Sequence, residues 1–164
     1  MRDAISLAVV LLGATGLLRA LDLAPQWIGE PREGWPFARI ADVERRLGER
    51  LAIPAYFPQT LRWPPTRIRV GGSRPAAVVL ALGERAVFGQ TIGGREAIPR
   101  RLWPEGVVLQ TEPIELGTVD RILGDDGRIW HEVRWDRWGR SFALRSLAPA
   151  PEVVQMARSV RRPP

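Results

Sequence analysis

The chain has no cysteine and only one histidine, His131. Without cysteine it cannot form a disulfide, a thiolate zinc site or a cysteine nucleophile. A metal site needs several converging ligands, and a catalytic triad would have to use this one imidazole. We therefore predict no catalytic residue, no metal site and no cofactor, and we interpret His131 as a structural residue of a strand.

Lysine is also absent, so all 24 basic side chains are arginine. Set against 18 acidic residues, they give the chain a formal charge of +6. Arginine stays protonated at every relevant pH, which explains the high isoelectric point. Two explanations remain open: arginine-rich coding in a genome of high GC content, and a surface that binds anions.

The first apolar run, residues 4–18, contains no charged side chain. It is shorter than the roughly 20 residues of a membrane-spanning helix, and it suits the apolar part of a signal peptide. A good cleavage site is missing, because cleavage after Ala24 would place Asp22 where a small residue is required. If one arginine snorkels to the interface, the apolar run extends through Leu23. We predict that residues 1–24 are a membrane anchor or signal segment; a cleaved signal and a buried soluble helix remain alternatives.

Small residues lie near one face of this segment. Gly13, Gly16 and Ala20 would permit close packing against another membrane helix, so they are a candidate contact with a membrane protein partner. The signal-like start favours the bacterial cell membrane, with the body of the protein outside the cytoplasm. Secretion after signal cleavage is the alternative.

Composition divides the rest of the chain. Residues 25–39 hold prolines and glycines among charged residues, which predicts a linker. Residues 40–160 are predicted to form an α+β domain outside the cytoplasm, and residues 161–164 a basic tail. Within the domain, residues 40–51 place apolar side chains at helical spacing and charges on the other face, which predicts an amphipathic helix.

A phrase with two prolines follows this helix. Pro54 and Pro58 exclude a helix between them and hold the chain extended. Tyr56 and Phe57 lie between the prolines and must find a core to pack in. We therefore predict an ordered arm that leads into a β-rich domain.

Runs of strand length come next, separated by glycine and proline. They predict strands over residues 66–70, 76–82, 86–92, 107–110, 118–123, 128–135 and 141–147, with a loop over residues 96–106. In residues 128–135 the side chains alternate between two faces, and Asp125-Asp126-Gly127 before them predicts a tight turn rather than a calcium site. A final helix begins after Pro149, with an apolar stripe made of Val153, Met156, Ala157 and Val160.

The order of these elements predicts an α+β fold. We expect an N-terminal membrane or signal helix, followed by an antiparallel meandering sheet with two amphipathic helices packed on it.

Two phrases carry a resemblance to a known family. The first contains Pro54, Tyr56, Phe57 and Pro58; the second contains Trp135, Gly139, Leu144 and Ser159. Over residues 40–160 the chain resembles a bacterial family of unknown function, found as the extracytoplasmic C-terminal domain of membrane-anchored proteins. Some of those proteins are anti-sigma-factor or sporulation-associated. That family usually has Glu-Gly where this chain has Gln59-Thr60. The resemblance implies the same location and no catalytic residues.

The densest cluster of aromatic and cationic side chains lies in the last predicted hairpin. The candidate binding surface consists of Trp130, Arg134, Arg137, Trp138 and Arg140. Interleaved tryptophan and arginine can bind an anionic glycan or a lipid headgroup, whereas cross-strand packing beneath solvated arginine is the alternative. A binding surface would require Trp138 and Arg137 to be exposed. No nucleic-acid-binding motif accompanies the cluster, so a nucleic-acid partner is not expected.

These observations lead to two expectations about function. The first is a non-enzymatic, membrane-anchored domain outside the cytoplasm that binds a protein partner, as a regulatory or accessory subunit of a membrane complex. The second is a module that binds an anionic ligand through the Trp/Arg hairpin.

Overall fold

The computed structural model describes residues 34–72 and 75–163, which all belong to one compact unit, Arg32–Pro164. These residues form an α+β fold with one antiparallel sheet of eight strands and two helices, as the sequence predicts at this coarse level. The predicted membrane or signal segment, residues 1–24, and its small residues Gly13, Gly16 and Ala20 lie outside the described residues.

The elements follow one another in this order: β1 Trp35–Phe37, α1 Ile40–Leu47, β2 Arg67–Gly71, β3 Ala76–Ala81, β4 Ala86–Ile92, β5 Gly106–Ile114, β6 Gly117–Gly124, β7 Ile129–Arg137, β8 Arg140–Ser146 and α2 Ala150–Arg158. A short 3₁₀ helix, Arg100–Leu102, lies in the loop between β4 and β5.

The sheet consists of two four-stranded meanders joined at their last strands. Its strand order is β1-β2-β3-β4-β8-β7-β6-β5, so β4 pairs with β8. The register sets Phe88 opposite Leu144 and Gly89 opposite Ala143. Because the chain leaves β4 in the middle of the sheet and re-enters as β5 at the far edge, residues 93–105 have to cross the sheet. We call this segment the crossover loop.

One face of the sheet, the helix face, carries the main core. Phe88, Val133 and Leu144 project from it and are almost fully buried. Val43 of α1 and Met156 of α2 belong to the same cluster. All four residues of the predicted C-terminal stripe are buried: Val153, Met156, Ala157 and Val160. Burial of this many aliphatic side chains is the principal stabilising term of the fold.

The arm with two prolines is ordered, and it joins the helix face to the C-terminus. Pro54 forms an isolated bridge with Val160, and the amide of Tyr56 donates to Ser159 Oγ at 3.0 Å. The buried amide of Gln90 accepts from Ala52 N at 3.0 Å and donates to Ala52 O at 2.9 Å. These contacts satisfy backbone groups that an irregular buried segment would otherwise leave unpaired.

Two predicted boundaries at the start of the domain are wrong. Helix α1 ends at Leu47 rather than at residue 51, because Gly48 adopts a left-handed conformation with φ 70° and its amide bonds back to Glu44 O. A glycine in this conformation is the usual end of a helix.

The second wrong boundary concerns the predicted linker, residues 25–39. Trp35–Phe37 forms strand β1, in which Trp35 lies opposite Val70 and Phe37 opposite Ile68. Proline at position 36 is tolerated because β1 is an edge strand, where one row of amides needs no partner within the sheet. Residues 35–37 form a strand because they pair with β2, and this pairing is not visible in the local sequence.

The crossover loop covers the other face of the sheet, which we call the loop face. Leu102 and Trp103 are buried there against Ala77, Val79 and Ala143. Gly89 allows the close approach, since a Cβ atom at this position would lie 2.5 Å from Ile98 Cδ1 and 2.7 Å from Trp103 Cζ3. The predicted loop is therefore a packed layer of the structure, with a short helical turn in it.

Candidate functional site

The structure divides the five residues of the predicted Trp/Arg surface between the two faces of the sheet. Trp130 and Arg134 alternate with Val133 along β7 and therefore project from the loop face. Arg140 and Trp138 instead contact residues of the helix face. The five side chains do not form one continuous surface.

Trp138 forms the tight turn between β7 and β8 together with Gly139. Their φ angles are 53° and 73°, as a two-residue hairpin turn of type I′ requires. The Trp138 ring is half-buried and meets Phe142 edge-on, with centroids 6.2 Å apart. Arg137 is exposed, and its guanidinium stacks on the Trp138 ring at 4.6 Å. Trp135 lies buried nearby and stacks on Phe142 at 5.2 Å.

Arg140 connects the hairpin to the chain that follows α1. Its Nη2 donates to Glu49 Oε2 at 2.7 Å and its Nη1 to Arg50 O at 3.0 Å. Only 13% of its side chain is exposed. Arg140 therefore stabilises the tertiary structure and presents little surface to a ligand.

Arg134 belongs to a buried network centred on Glu132, a residue that the sequence analysis did not single out. The Glu132 carboxylate is fully buried, and it accepts from Arg134 Nε at 2.5 Å, from Arg145 Nε at 2.5 Å and from Trp103 Nε1 at 2.8 Å. Arg145 is 5% exposed and also donates to Glu105 O at 2.8 Å. Strand β7 also contains Arg134, Asp136 and Arg137, so the sequence alone does not mark Glu132 as the charge that is buried.

The network joins three parts of the loop face. Glu132 comes from β7, Arg145 from the opposite position on β8, and Trp103 from the crossover loop. A buried carboxylate is tolerated only where donors surround it, and these three supply that environment. Glu132 therefore fixes the position of the Arg134 side chain through its Nε, although 51% of that side chain stays exposed.

Arg134 lies at a groove of about 460 Å³ between the crossover loop and strands β6 to β8. Arg95 and Ile98 line one side, and Thr118, Asp136 and Ser141 line the other. The groove therefore carries charges of both signs. The described residues that line it include no histidine and no pair of carboxylates.

Among the described residues, the most exposed large aliphatic side chains lie on edge strand β5. Val107, Val108 and Leu109 are 64%, 53% and 51% exposed, and Leu123 beside them on β6 is 39% exposed. Strand β5 is nine residues long, and the bulge at Leu109 interrupts its register with β6. The other edge, β1, has three residues, one of which is proline.

The remaining polar candidates have structural partners. His131 Nδ1 lies 2.9 Å from Ala148 O, which fits a structural histidine. Asp126 accepts from the Arg128 backbone amide at 2.9 Å and from Trp130 Nε1 at 3.2 Å. The Arg128 amide, aided by the Arg128 side chain and Trp130, lowers the pKa of Asp126 below its ordinary value. In the part of the chain that the structure describes, no three metal-ligating side chains converge.

The chain matches no model of a known protein family, no curated protein and no solved structure. The resemblance to an extracytoplasmic family therefore stays a prediction. Neither of the two described helices is long and apolar enough to cross a membrane.

Proposed function

We propose that this protein is a non-enzymatic, membrane-anchored domain outside the cytoplasm, and that it binds a partner protein through strand β5. The single observation that carries the proposal is the exposed, apolar edge at Val107, Val108 and Leu109. The anchor rests on the uncharged run at residues 4–18, and the location on the signal-like start of the sequence.

An unpaired edge strand offers a row of backbone donors and acceptors to any extended chain. Proteins usually protect such edges with short strands, proline or charge, and β1 has two of these features. Strand β5 has nine residues and places three consecutive aliphatic side chains in solvent. An extended segment that added a ninth strand would cover these side chains and pair the free backbone groups.

Charge distribution favours a segment of another protein over a second copy of this chain. Acidic residues flank both ends of the exposed run: Glu105 precedes β5, and Glu112 and Glu115 lie at its far end. Two copies paired antiparallel would set one acidic end against the other, which is unfavourable. A partner segment with aliphatic residues flanked by lysine or arginine would complement the edge.

The alternative, an anion-binding hairpin made of the five Trp/Arg residues, has less support from this geometry. Arg140 is used in contacts with Glu49 and Arg50, and Trp138 is half-buried beside Phe142. Arg134 projects from the opposite face of the sheet, so a single ligand cannot contact all of them.

Site-specific photocrosslinking in native cells tests the proposal. A photoreactive amino acid at Val108 of the full chain should crosslink to one partner, through one extended segment identified by mass spectrometry. The matched control places it at Trp63, which is 46% exposed and lies outside β5. Val107→Lys should abolish the crosslink at Val108 without lowering the melting temperature, because the Val107 side chain is exposed.

Hydrogen exchange of the isolated complex supplies the second measurement, in which β5 amides should gain protection. Crosslinks of equal yield from Val108 and Trp63, crosslinks only between copies of this chain, or unchanged β5 exchange would refute the assignment.

A further inference from the structure

The groove between the crossover loop and strands β6 to β8 presents side chains of both charges. Arg134 and Asp136 both belong to β7, and both are exposed. Residues two apart on a strand project from the same face at a spacing of about 7 Å, so the guanidinium and the carboxylate can contact two ends of one small molecule. Arg95 of the crossover loop adds a second positive charge. The groove volume, about 460 Å³, lies within the roughly 300–1,000 Å³ of small-ligand pockets.

Arg134 is held in position by the protein itself. Its Nε donates to Glu132 Oε1, and the Glu132 carboxylate is fixed in turn by Arg145 and Trp103. The two terminal nitrogens of Arg134, Nη1 and Nη2, have no acceptor among the described residues. A carboxylate ligand can accept from two guanidinium nitrogens at once. Because Glu132 already orders the Arg134 side chain, binding loses less conformational entropy.

Hydroxyl groups and an apolar side chain surround the two charges. Thr118 lies opposite Arg134, on β6. Ser141 lies opposite Asp136, on β8. Residues directly opposite each other in a sheet share one face, so both half-buried hydroxyls lie beside the charged pair. Ile98 lines the groove on the side of the crossover loop and offers an apolar contact.

We propose that this groove binds a small zwitterion, an α-amino acid, with its carboxylate on Arg134 and its ammonium group on Asp136. The opposite charges of the site favour a ligand that carries both charges over a phosphate or another dianion, which Asp136 would repel. The hydroxyls of Thr118 and Ser141 can donate to the carboxylate or accept from the ammonium group. The site is separate from edge strand β5, so it does not depend on the proposed protein partner.

A ligand series tests which charges the site recognises. Saturation-transfer NMR of the full chain with each common L-amino acid identifies the best ligand, and titration calorimetry then measures its affinity at one saturable site. The methyl ester of that amino acid lacks the negative charge, and the matching carboxylic acid without the amino group lacks the positive charge. Each analogue should bind about tenfold or more weakly, the loss typical of a hydrogen bond to a charged group.

Two variants assign each charge of the ligand to one residue. Arg134→Gln should weaken the amino acid about tenfold or more, yet change the affinity of the methyl ester less than about twofold, because the ester has no carboxylate to lose. Asp136→Asn should weaken the amino acid similarly and leave the acid without an amino group nearly unaffected. A residue that only supports the fold would weaken all three ligands alike.

Arg121→Gln and Asp125→Asn are the matched controls, because they remove the same charges at exposed positions outside the groove. Each should change the affinity less than about twofold. Asp136 is exposed, so Asp136→Asn should keep the melting temperature and tests the site even if Arg134→Gln weakens the fold. The proposal would be overturned by the absence of saturable binding of any amino acid, by equal weakening in a variant and its control, or by analogues that bind as tightly as the amino acid.

Discussion

Glu132 organises the loop face of the sheet. Its carboxylate is fully buried and receives hydrogen bonds from Arg134, Arg145 and Trp103. Removing one member of such a network leaves charged or polar groups buried without partners, which costs more than the net contribution of the intact pair. The network therefore connects the crossover loop to β7 and β8, and it holds Arg134 at the groove.

Glu132→Ala is expected to destabilise the protein by about 3–5 kcal/mol, because Arg145 would stay buried without its carboxylate. Chemical denaturation of the full chain measures this loss. Glu115→Ala is the control, since its pair with Arg158 is exposed and 3.3 Å long, and it should cost about 0.5 kcal/mol or less.

A double-mutant cycle strengthens this test. Glu132→Leu with Arg145→Leu should cost less than the sum of the two single changes, because no unpaired charge stays buried. Additive losses would mean that the two residues do not interact as the structure shows.

Trp135 provides a second test at the residue scale. Its ring is buried and stacks on Phe142 at 5.2 Å, yet its Nε1 has no acceptor among the described residues. Trp135→Phe keeps most of the packing and removes a buried unpaired donor, so we expect a loss of about 1 kcal/mol. Trp135→Ala should cost about 3–5 kcal/mol because it leaves a large cavity.

Thermal or chemical unfolding measures both variants of Trp135. Trp63→Phe at a partly exposed position should change stability little. Equal losses for Trp135→Phe and Trp135→Ala would contradict the prediction, because they would show that a phenyl ring at this position packs no better than a methyl group.

Among the elements, α2 joins the two ends of the domain. Val153 and Met156 are each 1% exposed, and the bridge between Val160 and Pro54 follows directly after the helix. The arm is therefore held by the C-terminus rather than by its own local preferences. An arm of this kind has few contacts to hold it when its partner is missing.

A chain that ends after Pro149 should lose cooperative unfolding or melt at a much lower temperature, because the helix face would be exposed. Limited proteolysis should then cleave within residues 51–61, where Ile53 and Pro54 lose their partners in the C-terminus. A chain that ends after Arg161 is the control and should melt like the full chain. Identical melting of both truncated chains would show that α2 is not part of the cooperative unit.

The sequence predicted helices and strands correctly where a short stretch of residues carries the pattern. The hairpins follow from glycine turns between apolar runs, and Ala86–Ile92 has the predicted bounds. Prediction failed at β1, because its strand structure depends on pairing with β2 across about 30 residues. It also placed the end of β5 too early, since residues 110–113 of this edge strand are polar and exposed and have no buried face to create an alternating pattern.

On the scale of the whole molecule, the proposed anchor and the described domain can be tested separately. The domain offers an exposed edge at β5. Whether residues 1–24 are cleaved can be measured without knowledge of any partner.

We expect the first 24 residues to stay attached and to hold the protein in the membrane fraction. The reason is an apolar run without a good cleavage site, in which Asp22 occupies the position that needs a small residue. Intact-mass measurement of protein extracted from membranes decides the matter. A mature N-terminus between Thr15 and Trp27 would show that the segment is an export signal only.

The sequence by itself determined the α+β class, the strand-forming runs and the buried stripe of α2. Each of these depends on the spacing of apolar residues along a short stretch of chain, and spacing is visible without a fold. The absence of cysteine also excluded disulfides and thiolate chemistry.

Only the tertiary structure decided which residues share a surface. The pairing of β4 with β8 makes β5 an edge strand, and the crossover loop brings Trp103 to Glu132. Alternation of side chains along β7 and the turn at Trp138 divide the Trp/Arg residues between two faces. These contacts join residues that are distant in sequence, and their free energy depends on burial and register that no local pattern contains.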